Sequence, residues 1–269
     1  MKIFDIELDA LKYGDFFKEI VKFDKKNIVF TPNPEILLSL KKDKEFTQIV
    51  KKATHLVPDG IGLYIGFQIA DNNYGTFVNT LLLPYFFFNL FFRRKSLYAK
   101  YGDKICGSDL TRDLIEFADK NSLGVTILDL YNPTDTKKVE SQKILIPRLQ
   151  EKYPNANFHL YIYRQEEFEQ ILKDIENSGD KIVLATLGAK RQEKLILDIF
   201  EKLDSVSVGA GIGSSIDYLI GFQKRAPKIW RALGLEWLYR LITGPQKINR
   251  LKRIYNAIFV FIYEVLKSK

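Results

Sequence analysis

Cysteine occurs once in these 269 residues, at Cys106, and histidine only twice. A single thiol excludes an internal disulfide and suits a reducing compartment. So few sulfur and imidazole ligands also weigh against a zinc site. There is no Walker-type lysine loop, no Cys pair and no Asp-x-Asp. The last absence removes a common way of clamping a divalent metal onto a diphosphate. No internal repeat or low-complexity linker interrupts the chain. The opening MKIFDIELDALKYGDF alternates charged and apolar residues, which is not the pattern of a signal peptide.

With 46% hydrophobic residues, the chain can bury a sizeable core. Its net charge of +8 is unevenly placed. From Gln223 to Lys269 there are 11 Lys and Arg against 2 Glu, whereas the preceding 222 residues hold 30 basic and 31 acidic ones. A nearly neutral body thus carries a basic tail, which suits an anionic partner: nucleic acid, anionic lipid or a phosphorylated substrate.

Strand and helix patterns alternate along the body. Strands are expected at Lys2–Ile6, Asn27–Phe30, around Leu56, and at Gly124–Leu130, Asn157–Tyr163, Lys181–Leu187 and Ser205–Val208. Helices fall between them. The one after Glu35 is interrupted near Lys42–Lys44, and the one over Ser108–Asn121 is capped by Ser108 or Asp109. This repetition predicts a single Rossmann-like α/β domain with a parallel central sheet over 1–222. A helical C-terminal appendage that associates with membranes is expected over 223–269.

Thr54–Gly62, THLVPDGIG, is the centre of the pattern. A short apolar stretch runs into Pro58-Asp59-Gly60. Asp59 therefore belongs at the carboxyl end of a buried strand, where ligand crevices form in open α/β sheets. It could serve as a base or a substrate-orienting group, or simply as the N-cap of the next helix. Gly209-Ala-Gly-Ile-Gly213 follows the last expected strand. Gly211 and Gly213 could let backbone N–H groups approach a phosphate, or could mark a close-packed turn.

Residues 71–104 break the alternation. From Val78 to Phe92, 11 of 15 residues are large and apolar. As a helix this segment would span about 22 Å, short of the roughly 30 Å hydrocarbon core. Arg93-Arg94-Lys95 follows directly. A core helix or hairpin, a membrane-dipping segment and an oligomer contact all fit, and an apolar stretch bordered by cations favours the membrane. In the tail, Pro245 is placed as a helix N1 residue. Ile248, Leu251, Tyr255, Ile258, Ile262 and Val265 then form an amphipathic stripe. Arg225, Arg231 and Arg240 form a basic cluster with Lys247, Arg250 and Arg253.

Five stretches, taken together and in order, resemble one family. They are Thr31-Pro-Asn-Pro-Glu35, Val57-Pro-Asp-Gly-Ile-Gly62, Gly107-Ser-Asp-Leu110, Leu187-Gly-Ala-Lys-Arg-Gln-Glu193, and Lys224-Arg-Ala-Pro227 with Gly234-Leu-Glu-Trp-Leu-Tyr-Arg-Leu241. The chain resembles the WecG/TagA/CpsF glycosyltransferases from about Asn27 to Ile254, outside the 71–104 insertion. The resemblance implies an inverting, metal-independent transferase that needs no cofactor. It would move a hexose-type sugar, N-acetylmannosamine or a relative, from a UDP-sugar to a sugar on a polyprenyl diphosphate. Such products feed bacterial surface polysaccharide or teichoic acid. The expected location is cytoplasmic, peripheral on the inner face of the cell membrane.

The resemblance makes Asp59 the general base, with Thr31 and Asn33 lining the same pocket and Gln192 matching the glutamine of the family's PKQE motif. Arg240, Lys247 and Arg250 would close over the diphosphate. The sequence departs from the family at Lys190 (usually Pro), at Gly213-Ser-Ser-Ile-Asp217 (usually GGAFD), at Gly244-Pro-Gln-Lys247 (usually EP-x-R) and at Lys104 (usually Arg). A catalytically degenerate scaffold that binds lipid-linked intermediates or partner enzymes is the alternative. A homo-oligomer stays open. Nucleic acid is not expected as a partner, because no stacking aromatics interleave with the basic residues.

Overall fold

The computed structural model describes residues 1–243 and 247–269, with the backbone alone at Ala232, Arg240, Lys247, Asn249 and Arg250. β1 (Lys2–Ile3) and β2 (Ile6–Glu7) form a separate antiparallel hairpin. The expected strand over Lys2–Ile6 is therefore folded back on itself. Phe4 and Asp5 both take positive φ, 50° and 63°, as a tight hairpin turn requires.

Then follow α1 (Tyr13–Ile20), β3 (Asn27–Phe30), α2 (Pro34–Lys42), α3 (Lys44–Val50), β4 (His55–Leu56) and α4 (Leu63–Asp71). The helix break expected near Lys42–Lys44 falls at Asp43. Its Oδ1 accepts the Phe46 N–H at 3.0 Å and restarts the helix. The insertion folds as α5 (Thr76–Leu81), α6 (Leu83–Phe92) and α7 (Arg94–Tyr101). The alternation resumes with α8 (Gly107–Lys120), β5 (Gly124–Leu130), α9 (Thr136–Lys152), β6 (Asn157–Tyr163), α10 (Phe168–Ser178), β7 (Ile182–Ala185), α11 (Arg191–Lys202), β8 (Val208–Gly211) and α12 (Ser215–Leu219). Helices α13 (Lys228–Ala232), α14 (Glu236–Thr243), α15 (Lys247–Tyr255) and α16 (Phe261–Lys267) complete it, with a π turn over Asn256–Val260 joining the last two. The helix start read at Pro245 lies outside the described residues.

The main sheet has six strands in the order β4-β3-β8-β7-β5-β6, and every pairing is parallel. Side chains alternate across it. Val183 and Ala185 join a core under α2, α3, α4, α10, α11 and α16, whereas Ile182 and Leu184 join one under α1, α8, α9 and α12. Covering both faces explains the unbroken apolar runs of the central strands.

Two local expectations fail for identifiable reasons. The last strand is not Ser205–Val208 but Val208–Gly211, so Gly209 and Gly211 lie inside the sheet, with Gly213 in the turn beyond it. A Cβ on Gly209 would sit 2.5 Å from the Phe200 ring, and one on Gly211 would sit 2.8 Å from Gln192 Nε2. Helix α11 packs too close to β8 for side chains there. Likewise, α8 is capped by neither Ser108 nor Asp109. It starts at Gly107 with Cys106 as the N-cap residue and no side-chain cap.

Helix α16 buries Phe261, Ile262, Val265 and Leu266 against the first core. The insertion is only half absorbed. Phe86 and Leu90 of α6 are buried, while Phe88, Phe91 and Phe92 face outward. Among the described residues, no helix is long and apolar enough to cross a membrane.

Candidate active site

Because all six strands run the same way, their carboxyl ends share one edge. β4 runs out there into Val57-Pro58-Asp59. The Asp59 N–H donates to Pro32 O at 3.0 Å, which binds this turn to the one after β3. Gly60 takes φ +96°, and a Cβ on it would touch the side chains of Pro34 and Asn33. The two turns therefore pack face to face, and only glycine permits it. Helix α4 starts at Leu63 with Gly62 at its N-cap and no side-chain cap. Asp59 is thus not the cap of the following helix.

Asp59 instead faces the start of α8. The Cys106 thiol donates to Asp59 Oδ1 at 3.4 Å, and the Ile105 N–H donates to Pro58 O at 3.0 Å. Burial, then the Asp59 carboxylate, push the Cys106 thiol well above its usual range, so it stays a protonated donor. Burial alone would lower Lys104. The carboxylates of Asp59 and Glu236 offset it, and the ammonium is held above its ordinary pKa.

Lys104 and Cys106 line a cleft of about 470 Å³. Arg94, Arg112, Arg225 and Arg231 also line it, against the carboxylates of Asp103, Asp109 and Glu236. Five cations against three carboxylates leave the lining net positive. Asp109 holds the cluster together: its Oδ1 accepts Arg225 Nη1 at 2.8 Å and lies 3.4 Å from Arg112 Nη1 and 3.6 Å from Arg231 Nη1. Burial alone would raise the Asp109 carboxyl, but Arg225, Arg112 and Arg231 hold it below its usual value. Arg225 still has Nε and Nη2 buried without a protein partner. Donors in that state are suited to an anionic ligand.

The expected site residues divide into groups. Asp59, Lys104 and Arg225 converge on or beside the cleft. Thr31 lies next to them, since a Cβ on Gly107 would be 3.4 Å from its Oγ1. Asn33 abuts Gly60 and also caps α2, its Oδ1 accepting the Ile36 N–H at 3.0 Å. Gln192, Gly211 and Gly213 form a separate knot. Gln192 Oε1 accepts the Gly213 N–H at 3.1 Å, and its Nε2 donates to Glu193 Oε1 at 2.8 Å. The side chains of Arg240, Lys247 and Arg250 lie outside the described residues.

Lys190, the departure from the family's proline, pairs with Asp43 at 2.7 Å and Glu45 at 2.8 Å at the α2–α3 break. Sequence reading missed Arg94, Arg112, Tyr98 and Glu236 as lining residues. Only Arg112 carried a local signal, three residues after Asp109 on the same helix face.

A carboxylate at a strand terminus beside a cation-lined cleft can accept a proton while neighbouring cations take up negative charge. The family model described as "Glycosyl transferase WecG/TagA/CpsF family" matches residues 1–83 and 90–269. The chain belongs to the WecG/TagA/CpsF family of glycosyltransferases. The family match omits only residues 84–89, which lie within α6. Among curated relatives are proteins named N-acetylglucosaminyldiphosphoundecaprenol N-acetyl-beta-D-mannosaminyltransferase from Staphylococcus aureus strains NCTC 8325 / PS 47, COL and MRSA252. Each is 27% identical over 242 residues, covering 90% of this chain and 80% of the relative. The fold and the match together make this WecG/TagA/CpsF member an α/β glycosyltransferase.

Proposed function

We propose that this glycosyltransferase moves an N-acetylmannosamine-type sugar from a UDP-sugar to the sugar of a polyprenyl-diphosphate-linked acceptor. The observation that carries the reading is Asp59, held at the carboxyl end of β4 next to the cation-lined cleft. The acceptor hydroxyl gives its proton to the Asp59 carboxylate, and its oxygen attacks the anomeric carbon. The bond from that carbon to the UDP oxygen breaks, with inversion. Arg225, Arg231 and Lys104 take up the charge on the departing diphosphate, so no metal is required. The Cys106 thiol orients the Asp59 carboxylate.

Thr31 and Asn33 line the sugar pocket in this reading, and Gln192 with Gly211 and Gly213 holds the neighbouring wall. Arg240, Lys247 and Arg250 add to the diphosphate clamp. The functional division falls at 222/223, between a catalytic body and a basic appendage that brings the enzyme to the cytoplasmic face of the membrane as a peripheral protein. The names of the relatives support the donor and acceptor classes.

The test is UDP release from a panel of UDP-sugars in EDTA, with and without a short-chain lipid diphosphate–GlcNAc acceptor. Acceptor-dependent release with one donor is expected. Release that needs added metal would overturn the metal-free mechanism. UDP binding without release from any donor would favour the scaffold reading.

A further inference from the structure

Helices α5 and α6 leave a broad apolar face outward, unlike a helix pair facing water. Their outward positions carry Phe77, Leu81, Tyr85, Phe88, Phe91 and Phe92, with Phe77 77% and Phe92 75% exposed. Their inward positions carry Asn79, fully buried, and Asn89, 8% exposed, beside the buried Phe86 and Leu90. Asn89 Nδ2 donates to Gln68 Oε1 at 2.9 Å, and Gln68 Nε2 donates to the carbonyls of Tyr64 and Phe86. The amide nitrogens of Asn79 and Asn89 are thus bonded within the protein, at Tyr74 O and Gln68 Oε1, while six large apolar side chains are left outside. An apolar outward face of this size suits surroundings of low dielectric.

Charge identifies those surroundings. From residue 72 to 102 there is no Asp or Glu, and Arg93, Arg94, Lys95 and Lys100 are all cationic. Arg93 and Lys95 are exposed where α6 ends. A second copy meeting this face about a two-fold axis would bring the same cations and no carboxylate from this stretch to receive them. An anionic lipid surface supplies the missing charge. With ten residues, α6 is about 15 Å long. It can lie in a bilayer interface but cannot cross one.

We propose that α5–α6 is a docking arm for an anionic bilayer. Its aromatic face enters the acyl boundary, and Arg93 and Lys95 sit among the headgroups. This builds on the reading that the acceptor is lipid-linked, and it adds a second docking surface to the basic appendage. The arm is fixed at both ends to the helices that follow residue 222. Thr76 Oγ1 donates to Leu266 O at 2.9 Å, and Arg94 Nη2 donates to Leu233 O at 2.9 Å. Arg94 also lines the catalytic cleft, so a docked arm holds the cleft at the membrane surface. The family match omits residues 84–89 in the middle of the arm, so of its outward aromatics Tyr85 and Phe88 fall outside the matched residues.

The experiment is flotation of the full chain with phosphatidylglycerol-rich or pure phosphatidylcholine vesicles. It compares wild type, F88S/F91S/F92S and R93Q/K95Q. Each sample is also assayed for UDP release with a water-soluble short-chain acceptor. The serine variant is expected to lose vesicle binding by about a hundredfold and keep its soluble turnover. The glutamine variant should lose roughly twentyfold on phosphatidylglycerol and nothing on phosphatidylcholine. It also carries the test should the serine variant fail to fold. Wild type that does not float, or variants that float like wild type, would overturn the proposal. So would a lipid-free dimer that F88S/F91S/F92S dissociates, because the face would then be a subunit contact. Failure of the transferase reading shows separately, as wild type with no soluble turnover from any donor.

Discussion

Arg225 Nη1 donates to Asp109 Oδ1 at 2.8 Å, joining the start of the basic appendage to the first turn of α8. One guanidinium thereby serves two tasks. It holds the appendage in place and lines the cleft, with Nε and Nη2 buried without a protein partner. Arg225→Lys keeps the charge but loses the fork. The KM for the UDP-sugar is expected to rise about tenfold or more, with kcat less affected. Steady-state kinetics in the donor checks it, and an unchanged KM would remove Arg225 from the diphosphate clamp.

The same pair should be acid-labile. The arginines hold the Asp109 carboxyl below its ordinary 3.8 in the folded protein. A depressed carboxylate stabilises fully above its unfolded pKa, and that stability is lost as pH falls through the lower folded value. Asp109→Asn should therefore remove part of the destabilisation seen between about pH 4 and pH 2. Melting of the two proteins across that range checks it. Parallel curves would show that the pair does not contribute.

Asp59→Asn should lower kcat by about 10²–10⁴-fold, the usual scale for a general base, and leave UDP affinity nearly unchanged. Cys106→Ala should cost much less, up to about tenfold for one hydrogen bond. Cys106→Ser should recover most of that loss, because a hydroxyl also donates. Turnover surviving Asp59→Asn would exclude the carboxylate as base.

His55 predicts a second pH effect, in stability rather than rate. It is 7% exposed, with Nε2 3.2 Å from Asn27 Oδ1, and burial lowers its pKa from 6.5 despite Asp9 and Glu19. The unfolded chain then takes up the proton first on acidification. Stability should be full above about pH 6.5 and should fall as pH drops from there through the lower folded value. Denaturant midpoints for wild type and His55→Gln between pH 7 and pH 5 measure it. Identical pH slopes would refute it.

Gly209→Ala should destabilise the fold by about 1–3 kcal/mol through overpacking. The new Cβ would lie 2.5 Å from Phe200 and 2.7 Å from Ile196, both in the buried core. A chemical denaturation curve shifted by less than about 0.5 kcal/mol would mean that α11 can move away from β8 at little cost.

What was legible in the sequence follows the range of the forces involved. β5 and β6 fall where their apolar and β-branched runs place them, because turn residues bound both runs, although β6, at the sheet edge, is only partly buried. The break at Asp43 was legible too, since a capping carboxylate is a local signal. β8 was not, because its glycines reflect the bulk of Phe200, Ile196 and Gln192 on another helix. The strand over Lys2–Ile6 was misread for a related reason: the reversal at Phe4-Asp5 uses left-handed residues without the usual Gly or Asn. In the site, Asp59 was visible through Pro58 and Gly60 beside it. The approach of Arg94 and Arg112 to Arg225 depends on how the insertion and α8 pack against the appendage. No local spacing encodes that.

Gly66 is the place where residues from opposite ends of the sequence meet. A Cβ there would strike Phe261 at 2.9 Å and Ile3 at 3.0 Å, and the Phe261 ring lies edge-on to Phe4 at 6.0 Å. The hairpin over residues 2–7 is translated long before the helix over 261–267. While the ribosome is still making the sheet, Ile3 and Phe4 have no Phe261 to cover them. The growing chain must keep that apolar hairpin from sticking elsewhere until α16 emerges. A segment made early is thus among the last to reach its final packing.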